Sequence, residues 1–131
     1  QVITGPNAAR AKPVILVVDD DQNVTATLAR ILRDDVIVLL ANDGKAALNI
    51  VTAHSDIDLL VLDINMPEYN ALELLDDMRK SGRFLPLVLF SGWRRDVLDD
   101  VAMLTEYYGF QVCAVLEKPV DGRQIVRALN R

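Results

Sequence analysis

Residues 14–21 read VILVVDDD, five β-branched or aliphatic residues that stop abruptly at three consecutive aspartates. An uninterrupted aliphatic run of this length suits a strand buried on both faces, the kind found in parallel sheets covered by helices. Beyond it, Val24, Leu28, Ile31 and Leu32 recur at the spacing of one helix face, with Asp21 as the N-cap. A strand followed by an amphipathic helix is the first half of a βαβ unit.

The pattern then repeats. Val36 to Leu40 reads as a second strand, and Asn42-Asp43-Gly44 turns the chain into a helix over about 45–53 with Ala46, Ala47, Ile50 and Val51 inward. Leu59 to Leu62 is a third strand ending at Asp63, followed by the loop Asn65-Met66-Pro67-Glu68 and a helix with Leu72, Leu75 and Met78 on one face. Leu85 to Phe90 is a fourth strand, with Pro86 tolerable only at its start, and Ser91-Gly92 closes it. Val97, Val101 and Leu104 mark a fourth helix ending near Gly109. Val112 to Leu116 is the fifth strand, with Lys118-Pro119 as its exit and a last helix over about 121–130 carrying Ile125, Val126 and Leu129. Five successive βα units with right-handed crossovers predict an α/β doubly wound parallel sheet, flavodoxin-like, in the order 2-1-3-4-5. Residues 1–12 lack periodicity and read as an N-terminal arm or linker, so the domain is expected over 13–131.

Composition agrees with a single globular domain. Of 131 residues, 51% are hydrophobic and only 5% aromatic, so Val, Leu, Ile and Ala must build the core. The net charge of −5 lacks the basic face that direct nucleic-acid binding needs. Cys113 lies in an apolar run and reads as a small buried hydrophobe in a reducing compartment. No stretch approaches a membrane span and no signal peptide is visible, so a cytoplasmic location is expected. The chain opens on Gln1 and not on Met, from which a processed or excised piece is expected.

On this frame the polar residues sort themselves. Asp19 and Asp20 end the first strand, Asp63 the third, Ser91 the fourth, and Lys118 follows the fifth, so all five converge on the carboxyl edge of the sheet. Three carboxylates so close repel and raise one another's pKa values. A hard divalent cation relieves that conflict, and oxygen-only ligands with room for water select Mg²⁺. A carboxylate can also act as a nucleophile and form an acyl phosphate, with Lys118 supplying fixed positive charge and Ser91 a hydroxyl donor. Asp21 keeps its capping role, His54 sits in a polar loop without the helical setting of a phosphodonor, and Arg94-Arg95-Asp96 reads as a solvated helix start.

Four segments carry a family likeness: VILVVDDD at 14–21, LLVLDINMP at 59–67, LVLFSG at 87–92 and LEKP at 116–119. From about Pro13 to Arg131 the chain resembles the receiver domain of bacterial two-component response regulators. The resemblance implies that Asp63 accepts phosphate from a histidine kinase phosphohistidine or a phosphotransfer protein. It implies a Mg²⁺ site in which Asp20 binds directly, Asp19 acts mainly through water, and Asp63 and the backbone carbonyl of Asn65 complete the protein ligands. Ser91 becomes the switch hydroxyl, Lys118 the ion-pair partner of the phosphate, and the Lys118-Pro119 bond is expected to be cis. Output to an attached domain or partner is expected through the face of helix four, strand five and helix five, with a phosphorylation-dependent dimer as one form of it. More loosely, GFQVCAVLEKPV resembles receivers ahead of EAL-type cyclic-di-GMP phosphodiesterase domains; a stand-alone or hybrid-kinase receiver is equally compatible.

The chain departs from the receiver pattern at three places. Val115 stands where receivers carry Tyr or Phe three residues before the lysine, leaving Tyr107, Tyr108, Phe110 or Trp93 as substitutes. Ala71 replaces a loop glycine and is expected to start the third helix more firmly. Trp93 is bulky enough to screen an acyl phosphate from water, which predicts slow autodephosphorylation. Three other functions compete. An aspartyl-nucleophile phosphohydrolase typically needs a second carboxylate two residues after the nucleophile, where this chain has Asn65. A flavodoxin-like nucleotide binder needs a glycine-rich loop after strand one, where it has three aspartates. A degenerate receiver working by constitutive binding keeps the fold without the chemistry.

Overall fold

The computed structural model describes residues 12–65, 71–92 and 95–130; the predicted arm at 1–12 falls, except for Lys12, outside them, as do Met66, Pro67 and Trp93. Five strands alternate with five helices: β1 (Val14–Val18), α1 (Gln22–Leu32), β2 (Ile37–Ala41), α2 (Gly44–Ala53), β3 (Leu59–Asp63), α3 (Ala71–Lys80), β4 (Leu87–Ser91), α4 (Arg95–Tyr107), β5 (Val112–Glu117) and α5 (Gly122–Leu129). All strand pairs are parallel, in the order β2-β1-β3-β4-β5, as the repeat of βα units predicts.

The period-2 geometry of the strands divides the core into two layers. Ile15, Val17, Val61, Val88 and Phe90 face α1 and α5, where Leu28, Leu32, Ile125 and Ala128 meet them. Leu16, Val18, Leu60, Leu62, Leu87 and Leu89 face α2, α3 and α4 through Val51, Leu74, Leu75, Met78 and Leu98. Every residue of β1, β3 and β4 is buried, which explains why these strands read as continuous aliphatic runs. Cys113 is buried among the α5-side residues.

Most helix starts are fixed locally. Asp21 accepts from the Asn23 N–H at 2.9 Å and Asp43 from the Ala46 N–H at 2.7 Å, each satisfying a donor the helix leaves open. Asp121 and Gln124 form a reciprocal capping box on α5. At the far end of α2, Arg83 donates to the carbonyls of Val51 and His54, tying the α3–β4 connection to that helix. Helix α3 begins at Ala71, which is buried where a glycine was expected.

Three helix faces differ from the periodicity; on α1, Ile31 is 51% exposed while Thr25 is buried. On α4 the buried set is Leu98, Ala102 and Thr105, one position round from Val97, Val101 and Leu104. Apolar residues occupy most of this helix, so spacing alone does not choose a face; Thr105 can be buried because its hydroxyl donates to the Val101 carbonyl at 2.7 Å. On α3, Leu74 is buried and Leu72 is 38% exposed. Strand β4 begins at Leu87, after Pro86, because a proline has no N–H to give the ladder.

Helix α5 approaches α1 closely at Gly122, where an added Cβ would lie 2.5 Å from Ile31 Cγ2 and 3.4 Å from Leu32 Cδ2. Gly122→Val is therefore expected to cost about 1–3 kcal/mol by overpacking. Equilibrium urea unfolding reads this as a lower midpoint with an unchanged slope; an unchanged midpoint would show that the α1–α5 contact yields freely.

Candidate functional site

The carboxyl ends of β1, β3, β4 and β5 place Asp19, Asp63, Ser91 and Lys118 on one edge of the sheet. Asp19 and Ser91 are fully buried and Asp63 nearly so, while Asp20 is exposed at the rim. One carboxylate oxygen from each of Asp19, Asp20 and Asp63 lies within 4.8 Å of the others. Lys118 Nζ reaches into this group, 2.8 Å from Asp19 Oδ2 and 3.3 Å from Asp63 Oδ2. It also sits 5.3 Å above the centroid of buried Phe90, whose ring forms a floor for the ammonium.

Backbone bonds hold the remaining oxygens. Asp63 Oδ1 accepts from the Asn65 N–H at 3.0 Å, and Asp19 Oδ1 accepts from the Asp21 N–H at 2.9 Å. The Lys118–Pro119 peptide is cis, as the resemblance implied. The Lys118 N–H donates to the Ser91 carbonyl at 2.9 Å, so the lysine and the serine are pinned to each other through the main chain. A register shift between β4 and β5 near Val88 sets this alignment, pairing Ser91 with Glu117.

The 2.8 Å approach of Lys118 to Asp19 Oδ2 is an ion pair by distance without the alignment of a hydrogen bond. Asp19 Oδ2 is thus a buried oxygen with no aligned donor among the described residues. A buried carboxylate oxygen in that condition, beside two further carboxylates, fits a hard cation with oxygen ligands. Burial, then the Asp19 charge, push the Asp63 carboxyl up to about 6 against the pull of the Asn65 N–H and Lys118. Burial and the same neighbour raise Asp20 above the usual carboxylate range. Burial opposes the charge on Lys118, but Asp19 and Asp63 outweigh it and hold the ammonium above its ordinary value.

Among the described residues, Asp19, Asp20, Asp63, Asn65, Ser91 and Lys118 all lie at the carboxyl edge. Asn65 contributes its backbone N–H to Asp63, and its side chain is exposed. One participant was read only as part of a turn: Asn42, after β2, donates from Nδ2 to the Asp19 carbonyl at 2.9 Å and to Thr25 Oγ1 at 3.1 Å. It too stands at the carboxyl end of a strand, so the rule that found the aspartates points to it. Of the aromatic substitutes for Val115, Trp93 lies outside the described residues and the other three do not reach the site. Tyr107, Tyr108 and Phe110 precede β5 and lie at the opposite end of the sheet, with Phe110 stacked on Phe84 and Tyr107 84% exposed.

The raised Asp63 pKa has a sign. Between about pH 4 and about pH 6 the folded chain keeps a proton that the unfolded chain has released, so stability falls as pH rises through that window. In chelator-treated protein at pH 7, Asp63→Asn is expected to be more stable than wild type by roughly 1–3 kcal/mol. The difference should vanish near pH 4. Chemical unfolding at the two pH values measures it, and equal stability at pH 7 would show that Asp63 ionises there without penalty.

No helix among the described residues is long and apolar enough to cross a membrane. Residues 15–130 match the family described as the response regulator receiver domain. The transcriptional regulatory protein CpxR of Escherichia coli (strain K12) is 33% identical over 119 residues, which cover 88% of this chain and 47% of that protein. The chain therefore spans about half the length of this relative. Among solved structures, a response regulator receiver domain protein from Clostridium thermocellum superposes with a TM-score of 0.77 at 27% identity, covering 90% of this chain and 91% of that one. A response regulator receiver protein from Pseudomonas putida gives 0.76 at 26%, covering 93% and 98%. With the family pattern spanning the sheet from β1 to α5 and the acidic edge in the position described above, the chain belongs to the response regulator receiver domain family.

Proposed function

We propose that Asp63 is the phosphoacceptor of this signalling domain and that Asp19, Asp20, Asp63 and Asn65 hold a Mg²⁺ ion. The convergence of three carboxylates within 4.8 Å, with Lys118 3.3 Å from Asp63, is the observation that carries this reading. The bound cation supplies positive charge that lets an anionic phosphoryl group approach an anionic nucleophile. A carboxylate oxygen of Asp63 attacks the phosphorus of a kinase or phosphotransfer-protein phosphohistidine. The P–N bond breaks, the imidazole leaves, and an acyl phosphate forms on Asp63. With its carboxyl at about 6, Asp63 is mostly ionised, hence nucleophilic, near neutral pH.

Lys118 then has a new anion to answer. Its ammonium, already between Asp19 and Asp63, pairs with a phosphoryl oxygen, and the Ser91 hydroxyl donates to another. Phosphorylation biases a two-state equilibrium of the domain, which an attached output domain or a partner reads through α4, β5 and α5. The domain is a switch whose chemistry is limited to taking and slowly losing one phosphoryl group. Residues 13–131 form the receiver, with 1–12 as an arm. No residue at position 65 offers the second carboxylate of a phosphohydrolase, and Asn65 gives its N–H to the nucleophile instead.

Incubation with Mg²⁺ and acetyl phosphate, followed by intact-mass measurement, tests this directly. Gain of one phosphoryl group is expected, absent in Asp63→Asn and after chelation of the metal. No gain in folded, Mg²⁺-bound protein would leave a degenerate receiver that works by constitutive binding. Lys118→Ala is expected to bind Mg²⁺ yet lose most of its phosphorylation rate, about 10²-fold or more. A rate within twofold of wild type would remove the lysine from the reaction.

A further inference from the structure

Asp19 and Asp20 lie on the short connection between β1 and α1, outside the ladder that fixes the strands. Two consecutive residues at the exit of β2 hold this connection. The Ala41 carbonyl accepts from the Asp19 N–H at 3.1 Å, and the Asn42 side-chain amide donates to the Asp19 carbonyl at 2.9 Å. Both main-chain polar groups of Asp19 are thereby satisfied by β2. The second Asn42 N–H goes to Thr25 Oγ1 at 3.1 Å. Thr25 is buried in the first turns of α1 and donates its own hydroxyl to the Gln22 carbonyl at 3.2 Å. One amide therefore ties the end of β2, the end of β1 and the start of α1 together.

The bond to the Asp19 carbonyl bears on Asp20. That carbonyl belongs to the Asp19–Asp20 peptide, which is planar, so fixing it fixes where the Asp20 Cα sits and the N–Cα bond about which its side chain turns. Asp20 is exposed, and rotation of that peptide would swing its carboxylate away from Asp19 and Asp63. Mg²⁺ demands near-ideal octahedral geometry and tolerates little misplacement of its ligands. Groups that orient metal ligands from behind typically change affinity by about 10–100-fold when removed.

We propose that Asn42 is a positioning residue for the Mg²⁺ site, holding the Asp19–Asp20 peptide so that both carboxylates point at Asp63. This rests on the reading of the acidic edge as a Mg²⁺ site. Asn42 touches neither the metal nor the phosphoryl group; it acts through the backbone of the aspartates. The amide is required for its two donors, which a carboxylate or an apolar side chain of the same size does not offer. Thr25 is the second anchor and contributes less, because its loss leaves the bond to Asp19 in place.

Calorimetric titration of unphosphorylated protein with Mg²⁺ measures the effect, in wild type, Asn42→Leu, Asn42→Ala and Thr25→Val. Both Asn42 variants are expected to weaken Mg²⁺ about 10-fold or more, and Thr25→Val by a smaller factor. Phosphorylation by acetyl phosphate at saturating Mg²⁺ is expected to stay within twofold of wild type, because positioning of the metal is restored by mass action. An unchanged dissociation constant in folded Asn42→Leu would overturn the proposal. So would a phosphorylation rate that stays low at saturating metal, since that places Asn42 in the reaction or in the fold at large. If neither Asn42 variant folds, Thr25→Val decides: weaker Mg²⁺ binding supports the tether, and unchanged binding sinks it. A wild-type chain that binds no Mg²⁺ overturns the metal site itself, and the two failures are told apart by that control.

Discussion

Lys118 Nζ stands between Asp19 and Asp63, at 2.8 and 3.3 Å, and this one cation has to answer three carboxylates. Two of the three are buried, where a charge without compensation is costly. The imbalance shows in the chain itself: Asp63 and Asp20 hold their protons more tightly than ordinary carboxyls, and one Asp19 oxygen has no aligned donor among the described residues. Such a cluster would be a poor way to stabilise a fold. It makes sense as a place kept deficient in positive charge, so that a divalent cation binds and a phosphoryl group can follow.

The rest of the molecule can be read as what keeps that cluster in place. Three central strands buried on both faces give a rigid frame, and parallel pairing sends all their carboxyl ends to one edge. The two-layer core leaves no apolar reason for the aspartates to be where they are, since the aliphatic residues stop one position earlier in β1. Instead the acidic loop is held by polar bonds from the β2 exit, and the lysine by the main-chain bond between residues 118 and 91. Stability and function thus use different atoms of the same strands, side chains along the strand for one and strand ends for the other.

This division explains what could be seen in the sequence. Strands buried on both faces announce themselves as aliphatic runs, so their order and the edge they share followed from VILVV, LLVL and LVLF with the polar residues that end them. Helix faces were harder where apolar residues were plentiful: α4 offers Val97, Leu98, Val101, Ala102 and Leu104, and only packing against β4 and β5 selects Leu98 and Ala102. Thr105 entered the core through a bond to its own helix, which no hydropathy pattern reveals. Asn42 was hidden because asparagine before Asp-Gly is an ordinary turn signal; its partners, Asp19 and Thr25, are 23 and 17 residues away. Local chemistry could be read from the chain, and pairings across it could not.

The same limit bears on how the site speaks to the α4–β5–α5 face. With valine at 115, neither Tyr107 nor Tyr108, at the far end of the sheet, joins Ser91 to that face. What does join them is main chain. Lys118 N–H bonds the Ser91 carbonyl, β5 runs in register with β4 from there, and Arg95 at the start of α4 donates to the Val115 carbonyl at 2.9 Å while pairing with Asp99. Val115 thus meets α4 through its carbonyl, a contact that does not depend on which side chain the position carries. A domain that lacks the aromatic ring keeps a physical connection between its acidic edge and the face proposed to carry its output, provided the backbone of β5 and the first turn of α4 move together.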